Sequence, residues 1–195
     1  MDIFQQKQVE AFKKNLEENN QKINLFSRKN PDQLDLLLEE TLKSSSFLRP
    51  VFAGFDGEIL DIGSGNGLPG IVCAILYPKN QFVLCERNRK KSEFLKAVAF
   101  QIKTLNVRVL CEDAQNTGLF KKVLSQATGP IEDVLNILNQ VLTSSNGEAF
   151  LWKSSAWEQS WPKTTSFFPQ VFKKYESQGA KRVLLKVTRL KQKNP

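Results

Sequence analysis

The residues with the clearest capacity for chemistry lie between Asp61 and Gly70, where the sequence reads DIGSGNGLPG. Glycine permits positive φ and lets a ligand approach the backbone without meeting a Cβ. An apolar run that favours a helix begins directly after the last glycine, at Ile71. Such a helix directs its free N–H groups and the positive end of its dipole toward the loop. The stretch therefore predicts a site for a nucleotide-type cofactor.

Two kinds of cofactor suit this loop. Counted from Gly65, it matches G-x-G-x-x-G, the pattern for a dinucleotide pyrophosphate, which is a weak signal on its own. Counted from Asp61, it reads D-x-G-x-G-x-G, which resembles motif I of the class I methyltransferases that bind S-adenosylmethionine. The carboxylate of Asp61 would repel a pyrophosphate but suits the cationic amino group of the methionine moiety. A turn without a ligand is the third interpretation, which four glycines in eight residues disfavour.

Other candidates follow the next predicted strands. Glu86 would accept both ribose hydroxyls of either cofactor, and its spacing from Gly67 fits that role; the alternative is a surface acid paired with Arg87 or Arg89. Asp113, Ala114 and Gln115 would edge the adenine, unless they form an ordinary polar loop. The target would enter near Lys153 and Ser154, where Trp152 either stacks on a base or belongs to the core.

The apolar runs around these residues alternate between strand and helix patterns. Five short strands are predicted at residues 59–62, 81–85, 107–111, 122–125 and 149–152, with helices from Pro69, at 89–102 and at 131–142. Two late β segments, 171–175 and 182–187, meet across Gly179 and favour a hairpin. Five βα units and a terminal hairpin predict an α/β, Rossmann-like class I methyltransferase fold. Its sheet would be mostly parallel and seven-stranded, with helices on both faces and the candidate residues at the carboxyl ends of the strands.

Residues 1–57 are predicted to form a small N-terminal helical extension, and residues 58–195 the methyltransferase domain. The first helix spans residues 4–20, with a break at residues 19–21. A second helix is predicted to start at Asn30-Pro31-Asp32 and to be interrupted or ended by the serines at 44–46.

The composition excludes several mechanisms. The chain has 195 residues and no histidine, so Ser-His-Asp and Cys-His catalysis are impossible, and we expect no metal site. Cys73, Cys85 and Cys111 are predicted to be buried core residues of a protein in a reducing compartment. No apolar stretch is long enough to span a membrane, and the N-terminus lacks a signal-peptide core. We therefore expect a cytoplasmic monomer.

The net charge of +8 is unevenly distributed. Residues 1–58 carry eight basic and ten acidic side chains, whereas residues 153–195 carry ten and two. A basic domain suggests an anionic partner, most simply RNA, although many surface lysines are also typical of proteins with no such partner. The RNA-binding candidates are Arg87, Arg89, Lys90, Lys91 and Lys153, because cations near the cofactor could grip phosphates.

Three segments carry a more specific resemblance: Lys22-Ile23-Asn24-Leu25, the loop from Leu60 to Ile71 with its Gly-Leu-Pro-Gly-Ile ending, and the helix start Arg89-Lys90-Lys91-Ser92-Glu93-Phe94-Leu95. With these, the chain resembles the glucose-inhibited division protein B family, also called ribosomal RNA small-subunit methyltransferase G. The similarity covers about residues 10–153. It implies transfer of a methyl group from S-adenosylmethionine to guanine N7 in 16S rRNA. That reaction needs no general base, because N7 has a free lone pair.

Carried over by position, the resemblance places Gly63, Leu68, Ala114 and Gln115 at the cofactor and Glu86 at its ribose. Three departures fall on other positions. The family has Ser-Arg-Ala after the fourth strand, with the Arg at the cofactor, where this chain has Gln126. It also has His-x-x-Asp-Ser in the second helix, where this chain has Leu38, Thr41 and Leu42. After the fifth strand Lys153 matches the family's Lys, but Ser154 replaces the usual Gly.

The sequence is compatible with three functions. The first is an S-adenosylmethionine-dependent methyltransferase acting on ribosomal RNA or the small ribosomal subunit, with Lys153 and Gln126 on the substrate side. The second is a methyltransferase-like protein that binds S-adenosylmethionine or RNA with lost or altered activity, which Gln126 favours. The third is an NAD-dependent oxidoreductase, which Asp61 and the missing catalytic His or Tyr–Lys pair disfavour.

Overall fold

A computed structural model describes residues 1–27 and 32–190 of the chain. The described elements are six α-helices and seven strands. The helices are α1 (Ile3–Ile23), α2 (Gln33–Ser46), α3 (Arg49–Phe52), α4 (Gly70–Leu76), α5 (Arg89–Gln101) and α6 (Ile131–Val141). The strands are β1 (Glu58–Ile62), β2 (Gln81–Cys85), β3 (Val107–Leu110), β4 (Lys122–Gln126), β5 (Glu148–Ser154), β6 (Phe167–Ser177) and β7 (Ala180–Arg189).

The strands form one sheet in the order β3-β2-β1-β4-β5-β7-β6. Strands β1 to β5 pair in parallel, whereas β7 runs antiparallel to both β5 and β6. The chain moves outward from β1 to β3 and then crosses back to β4 on the other side of β1. The carboxyl ends of β1 and β4 therefore flank the switch point, where open α/β sheets bind ligands.

The two faces of the sheet are covered by different helices. On one face, α1, α2, α4 and α5 bury an apolar cluster that includes Phe12, Leu38 and Leu95. On the other face, α6 packs with Leu135 and Leu138 against the sheet. The prediction of a mostly parallel, seven-stranded sheet with helices on both faces is confirmed. The division into an extension and a domain at residue 57 stays a prediction, and α1 and α2 share the core of α4 and α5.

Only three of the five predicted βα units carry an α-helix. Short 3₁₀ helices follow β3 and β5 instead, at Ala114–Asn116 and Trp157–Ser160. Each segment reaches the next strand within about a dozen residues, and Pro162 interrupts the second. The prediction of five such units was therefore wrong in this respect.

Two local predictions were also wrong. The expected break at residues 19–21 lies inside α1, where Asn20 is buried and its Oδ1 accepts hydrogen bonds from the N–H groups of Leu25 (2.7 Å) and Phe26 (2.9 Å). This side chain therefore fixes the chain just after the helix. Cys73 and Cys85 are buried as predicted, but Cys111 is exposed because β3 ends one residue earlier.

The start of α2 was predicted at residues 30–32. Asn30 and Pro31 lie outside the described residues, and Asp32 immediately precedes α2. The helix ends at Ser46, within the predicted serine run. Its buried Glu40 accepts hydrogen bonds from Tyr175 and Ser177 of β6, both at 3.2 Å, and lies 3.6 Å from Arg182 of β7. These contacts join α2 to the terminal hairpin.

Candidate cofactor site at the switch point

A cavity of about 640 Å³ opens at the carboxyl ends of β1, β2, β3 and β4. Its wall comes from the strand ends and loops of β1, β2, β3 and β4, from the segment after α1, from one residue of α5 and from two residues of α6. The lining residues are Leu25, Gly63, Ser64, Gly65, Asn66, Leu68, Cys85, Glu86, Arg87, Lys91, Glu112, Asp113, Ala114, Gln126, Ala127, Thr128, Asp133 and Ile137. The structure thus brings together most of the residues that the sequence predicted at a cofactor.

The glycine-rich loop adopts a backbone conformation that requires glycine at several positions. Gly63, Gly65 and Gly67 have φ values of 66°, 53° and 94°, in the region that L-residues with a Cβ rarely adopt. The loop is fixed by hydrogen bonds from Ser64 N to the Cys85 carbonyl (3.0 Å) and from Gly67 N to the Ser64 carbonyl (2.6 Å). Gly63, Gly65 and Leu68 line the cavity, whereas Gly67 does not and instead approaches Phe12 and Ile71.

Two backbone N–H groups hold the Glu86 carboxylate at the cavity, one on each of its oxygens. Its Oε2 accepts a hydrogen bond from the Gly65 N–H at 2.9 Å, and its Oε1 accepts one from the Asn88 N–H at 2.7 Å. The residue is only 8% exposed. The alternative of a surface acid paired with Arg87 or Arg89 is wrong, because Arg89 pairs with Glu93 at 2.8 Å and Glu86 is bound to the backbone. Each oxygen keeps acceptor capacity for a ligand.

Asp61 lies beneath the loop and not in the cavity wall. It is fully buried, and its Oδ2 accepts a hydrogen bond from the Gly70 N–H at 3.2 Å, at the start of α4. Its Oδ1 has no hydrogen-bond partner among the residues that the structure describes. Burial raises the pKa of this carboxyl to about 7. Its predicted contact with a methionine amino group stays a prediction.

The segment after β3 supplies the next part of the wall. Asp113 and Ala114 line the cavity, and Ala114 begins the first 3₁₀ helix, which packs against α6. Gln115 is exposed and does not line the cavity. Its predicted role at the adenine stays a prediction, and Asp113 and Ala114 are better placed for it.

The segment after β4 closes the opposite side. Gln126 lines the cavity, and its Nε2 donates a hydrogen bond of 3.4 Å to the Oγ1 of Thr41 in α2. Thr128 also lines the cavity, and its hydroxyl lies 2.7 Å from Ser125 Oγ and 3.0 Å from the Ile62 carbonyl. Sequence reasoning missed Thr128, although its position two residues beyond the strand containing Gln126 was an available signal.

Three further lining residues were not predicted at the site. Leu25 comes from the segment after α1, and Asp133 and Ile137 come from one face of α6. They reach the cavity only through the packing of α1 and α6 on the sheet. Asp133 and Ile137 lie in an ordinary helix pattern, whereas Leu25 ends the Lys22-Ile23-Asn24-Leu25 segment of the family resemblance, which was an available signal.

The charges in the cavity wall are mostly negative, although the chain is basic. Four carboxylates line it, from Glu86, Glu112, Asp113 and Asp133, against two cations, from Arg87 and Lys91. This balance favours a cationic ligand over a pyrophosphate. Within the described ranges, no group of three His, Cys, Asp or Glu side chains is placed to hold a metal ion.

The RNA-binding candidates occupy different positions. Arg87 and Lys91 line the cavity, and Lys90 is exposed beside it in the sequence. Arg89 is exposed and paired with Glu93, and Lys153 does not line the cavity. Burial lowers the pKa of the Lys153 ammonium. The structure leaves the RNA contacts of all five as predictions.

Trp152 belongs to the core and is not available to stack on a base. It is 5% exposed, and its Nε1 donates a hydrogen bond of 2.7 Å to the Oγ of Ser44 in α2. The interpretation of Trp152 as an exposed stacking residue was therefore wrong. The reason is that α2 covers this end of β5, which the sequence pattern of β5 alone does not reveal.

Gly63→Ala is expected to destabilise the chain by about 2–4 kcal/mol, because it combines an unfavourable positive φ with overpacking. An ideal Cβ at this position would lie 2.3 Å from the Cγ2 of Thr128, whose hydroxyl is held by hydrogen bonds. Urea unfolding measures the loss. Gly54→Ala is the matched control, because its φ is +73° and a Cβ there meets nothing within 4 Å. Adding Thr128→Ser should recover part of the loss, and equal effects of Gly63→Ala and Gly54→Ala would contradict the overpacking explanation.

The sheet order, the glycine-rich loop and the acid after β2 define a Rossmann-like class I methyltransferase fold. Solved structures agree on this fold at low identity. A mutant of MtNAS in complex with S-adenosylmethionine superposes with a TM-score of 0.66 at 14% identity, covering 95% of this chain and 76% of that one. The putative methyltransferase yhhF from Escherichia coli superposes with a TM-score of 0.55 at 18% identity, covering 76% and 88%.

The chain belongs to the GidB family, rRNA small subunit methyltransferase G, whose family model matches residues 5–183. Ribosomal RNA small subunit methyltransferase G of Colwellia psychrerythraea is 34% identical over 137 residues, which are 69% of this chain and 63% of that protein. The protein of the same name from Syntrophomonas wolfei is 38% identical over 110 residues, which are 56% and 50%. The chain thus matches between half and two thirds of the length of these relatives.

Proposed function

We propose that this chain is an S-adenosylmethionine-dependent methyltransferase that methylates guanine N7 in 16S rRNA. The observation that carries the proposal is the position of Glu86, a nearly buried carboxylate fixed by two backbone N–H groups against the Gly63–Gly65 loop at the switch point. Membership of the GidB family supports ribosomal RNA or the small ribosomal subunit as the partner. Because ribosomal RNA is the proposed partner, we infer a cytoplasmic enzyme. None of the helices in residues 1–27 and 32–190 is long and apolar enough to cross a membrane.

The residues present fit this cofactor. Gly63 and Gly65 have no Cβ and permit close approach to their backbone, and the oxygens of Glu86 can accept the two hydroxyls of a ribose. Asp113 and Ala114 line the same cavity and are the residues that we propose for the adenine. The excess of carboxylates in the wall suits a ligand with a sulfonium and an ammonium group, and it disfavours NAD with its pyrophosphate.

The chemistry requires little from the protein beyond orientation. The cofactor supplies an electrophilic methyl group, and guanine N7 has a lone pair at neutral pH, so no side chain needs to remove a proton. The work of the chain is to hold N7 in line with the methyl group and to exclude water. Gln126 in the cavity wall and Lys153 beyond it are the substrate-side candidates.

Methyl transfer from radiolabelled S-adenosylmethionine tests the proposal. The substrates are small ribosomal subunits and naked 16S rRNA from a strain that lacks its own methyltransferase G. We expect label on one guanine, detected as N7-methylguanine by borohydride reduction and aniline cleavage. Label on another atom would change the target, and no transfer to either substrate would contradict the enzymatic function.

A second candidate function is favoured by one contact. Two of the positions at which this chain departs from the family pattern, Gln126 and Thr41, are in contact through a hydrogen bond. An Arg and an Asp that the family has there are thus both replaced by neutral groups. This is compatible with a protein that binds S-adenosylmethionine or RNA but whose methyltransferase activity is lost or altered. Binding of these ligands without methyl transfer would support that function.

Gln126→Arg alone is expected to destabilise the chain by about 1–3 kcal/mol, because the guanidinium would face the fully buried Thr41, which cannot neutralise it. Thr41→Asp alone should destabilise it too. The double variant should recover at least half of the summed loss, because the two opposite charges would then face each other. Urea unfolding of the four proteins gives the coupling energy, with about 1–3 kcal/mol expected. Strictly additive effects would show that the two positions are not coupled.

The same four proteins separate the two functions. If the neutral pair has weakened an enzyme, methyl transfer should rise in the double variant above the level of the unmodified chain. If the double variant is folded and binds S-adenosylhomocysteine but transfers no more methyl, the neutral pair does not explain an altered activity.

A further inference from the structure

Two tryptophans outside the cavity cover the sheet after β5, where the βα pattern had predicted a helix. Trp157 and Trp161 lie on and just after the 3₁₀ helix that follows β5, and both are half-buried. Their rings meet edge to face, with centroids 5.7 Å apart and planes at 87°. They pack against the apolar cluster on the α6 face of the sheet. Part of each large ring therefore stays open to solvent beside the carboxyl end of β5.

Lysines lie on the same face of the sheet. Val183 of β7 is paired with Lys153 of β5 on one side and with Lys174 of β6 on the other. Residues paired directly across strands point to the same face, and Val183 belongs to the cluster that the tryptophans cover. We define the tryptophan patch as four residues on this face: Lys153, Trp157, Trp161 and Lys174. Two acids belong to the same region: Glu158 lies on the 3₁₀ helix, and Glu132 partly opposes the lowering of the Lys153 pKa by burial.

The patch adjoins the cavity and is firmly attached. Gln126, in the cavity wall, is paired in the sheet with Trp152, the residue before Lys153. The Ser155 N–H donates a hydrogen bond of 3.1 Å to the Lys181 carbonyl of β7, and Ser160 Oγ donates one of 2.9 Å to the Trp157 carbonyl. The segment that carries the rings is thus joined to β7 by a hydrogen bond at its start, one strand away from Gln126 in the cavity wall.

We propose that the tryptophan patch binds unpaired bases of single-stranded RNA that flank the target guanine. Exposed aromatic faces bind bases by stacking, which requires bases that are not already stacked in a duplex. Lysines on the same face of the sheet would contact the phosphates. Trp157 and Trp161 thereby take the stacking role that the buried Trp152 cannot fill. The proposal rests on RNA as the substrate of the proposed function.

The test is fluorescence anisotropy with a labelled single-stranded RNA of ten nucleotides containing guanine, and with the same sequence as a duplex. Leucine at 157 or 161 still covers the apolar cluster but offers no ring. Trp157→Leu and Trp161→Leu should each weaken single-strand binding about tenfold, because a stacked base contributes a factor of roughly 5 to 150. Trp157→Phe should retain most of the affinity. The unmodified chain should prefer the single strand.

Phe168→Ala is the matched control. Phe168 is 56% exposed on β6 but pairs with Thr188, which pairs with Glu148 at the opposite end of β5. Its removal should leave RNA binding unchanged. Equal affinity of the leucine variants and the unmodified chain, a preference for the duplex, or no binding of the single strand would each overturn the proposal.

Two further measurements keep the proposal separate from folding and from catalysis. Binding of S-adenosylhomocysteine should be unchanged in Trp157→Leu, and thermal unfolding verifies its fold. Should the leucine variants unfold, photocrosslinking of 4-thiouridine RNA to the unmodified chain decides. Crosslinks within residues 157–163 are expected, and crosslinks only elsewhere overturn the proposal. Absence of methyl transfer with ring-dependent RNA binding would contradict the enzymatic function and leave the tryptophan patch standing.

Discussion

Glu86→Ala is expected to weaken binding of S-adenosylmethionine and S-adenosylhomocysteine about a hundredfold, which corresponds to about 2.7 kcal/mol. Two effects combine in this loss. The variant loses a charged acceptor for the ribose hydroxyls, and hydrogen bonds to charged groups contribute about 1.5–3 kcal/mol. It also releases the Gly65 N–H, which Glu86 holds at 2.9 Å, and so loosens the glycine-rich loop. Calorimetric titration measures both ligands.

Two controls make the result specific to this carboxylate. Glu86→Gln keeps an acceptor for one backbone N–H but loses the charge, and should lie between the unmodified chain and Glu86→Ala. Asp133→Ala removes an exposed carboxylate from the α6 side of the same cavity. Because its effect is mainly a longer-range charge effect, we expect about threefold weaker binding or less. If Glu86→Ala and Asp133→Ala bind equally well, Glu86 does not hold the ribose.

NAD included in the same titrations tests the third function that the sequence left open. The mostly negative cavity wall predicts no measurable binding of this dinucleotide by the unmodified chain. Tight NAD binding that Glu86→Ala abolishes would contradict the choice of cofactor while preserving the role of Glu86. The two cofactors are thus distinguished without any activity measurement.

The central part of the fold was predictable because its signals are local. Strand β2 has the predicted bounds, and β1 and α5 differ from the prediction by one residue at one end. In each case an apolar run is bounded by Gly, Pro, Asn or charged residues, which carry their structural meaning wherever the chain folds. The same locality made Gly63, Gly65 and Glu86 identifiable, since a loop and the next strand end meet at one edge of a parallel sheet.

The predictions that were wrong or missing concern side chains whose contacts are not encoded in a local sequence pattern. Asn20 is a helix breaker by residue type, yet its buried side chain binds the backbone of Leu25 and Phe26. Trp152 has the same sequence environment whether or not α2 covers it. Leu25, Thr128 and Asp133 enter the cavity from separate elements. No periodicity encodes such contacts: the Asn20 bonds depend on one side chain that caps the following segment, and the positions of the others depend on how separate elements pack together.

Asp61→Asn is expected to flatten the pH dependence of stability between pH 5 and 8. Burial raises the pKa of the Asp61 carboxyl to about 7 in the folded chain, against the lowering effects of the Ser64 hydroxyl and the Gly70 N–H, and the charge of Glu86 adds to the rise. In the unfolded chain this pKa is about 4. Below about pH 4 the carboxyl is protonated in both the folded and the unfolded state, so it does not make the free energy of unfolding depend on pH.

As the pH rises above about 4, the unfolded state loses this proton first, so the free energy of unfolding falls until the pH passes about 7 and then levels off. Between pH 5 and 8 the loss from this one group should be about 2–3 kcal/mol. Urea unfolding of the unmodified chain and of Asp61→Asn across this range measures the difference of the two slopes. The slope is the informative quantity, because the uncharged amide that the substitution introduces changes stability by a constant amount at every pH. Parallel curves for the two proteins would show that Asp61 is ionised in the folded chain throughout, with a neighbouring group neutralising it.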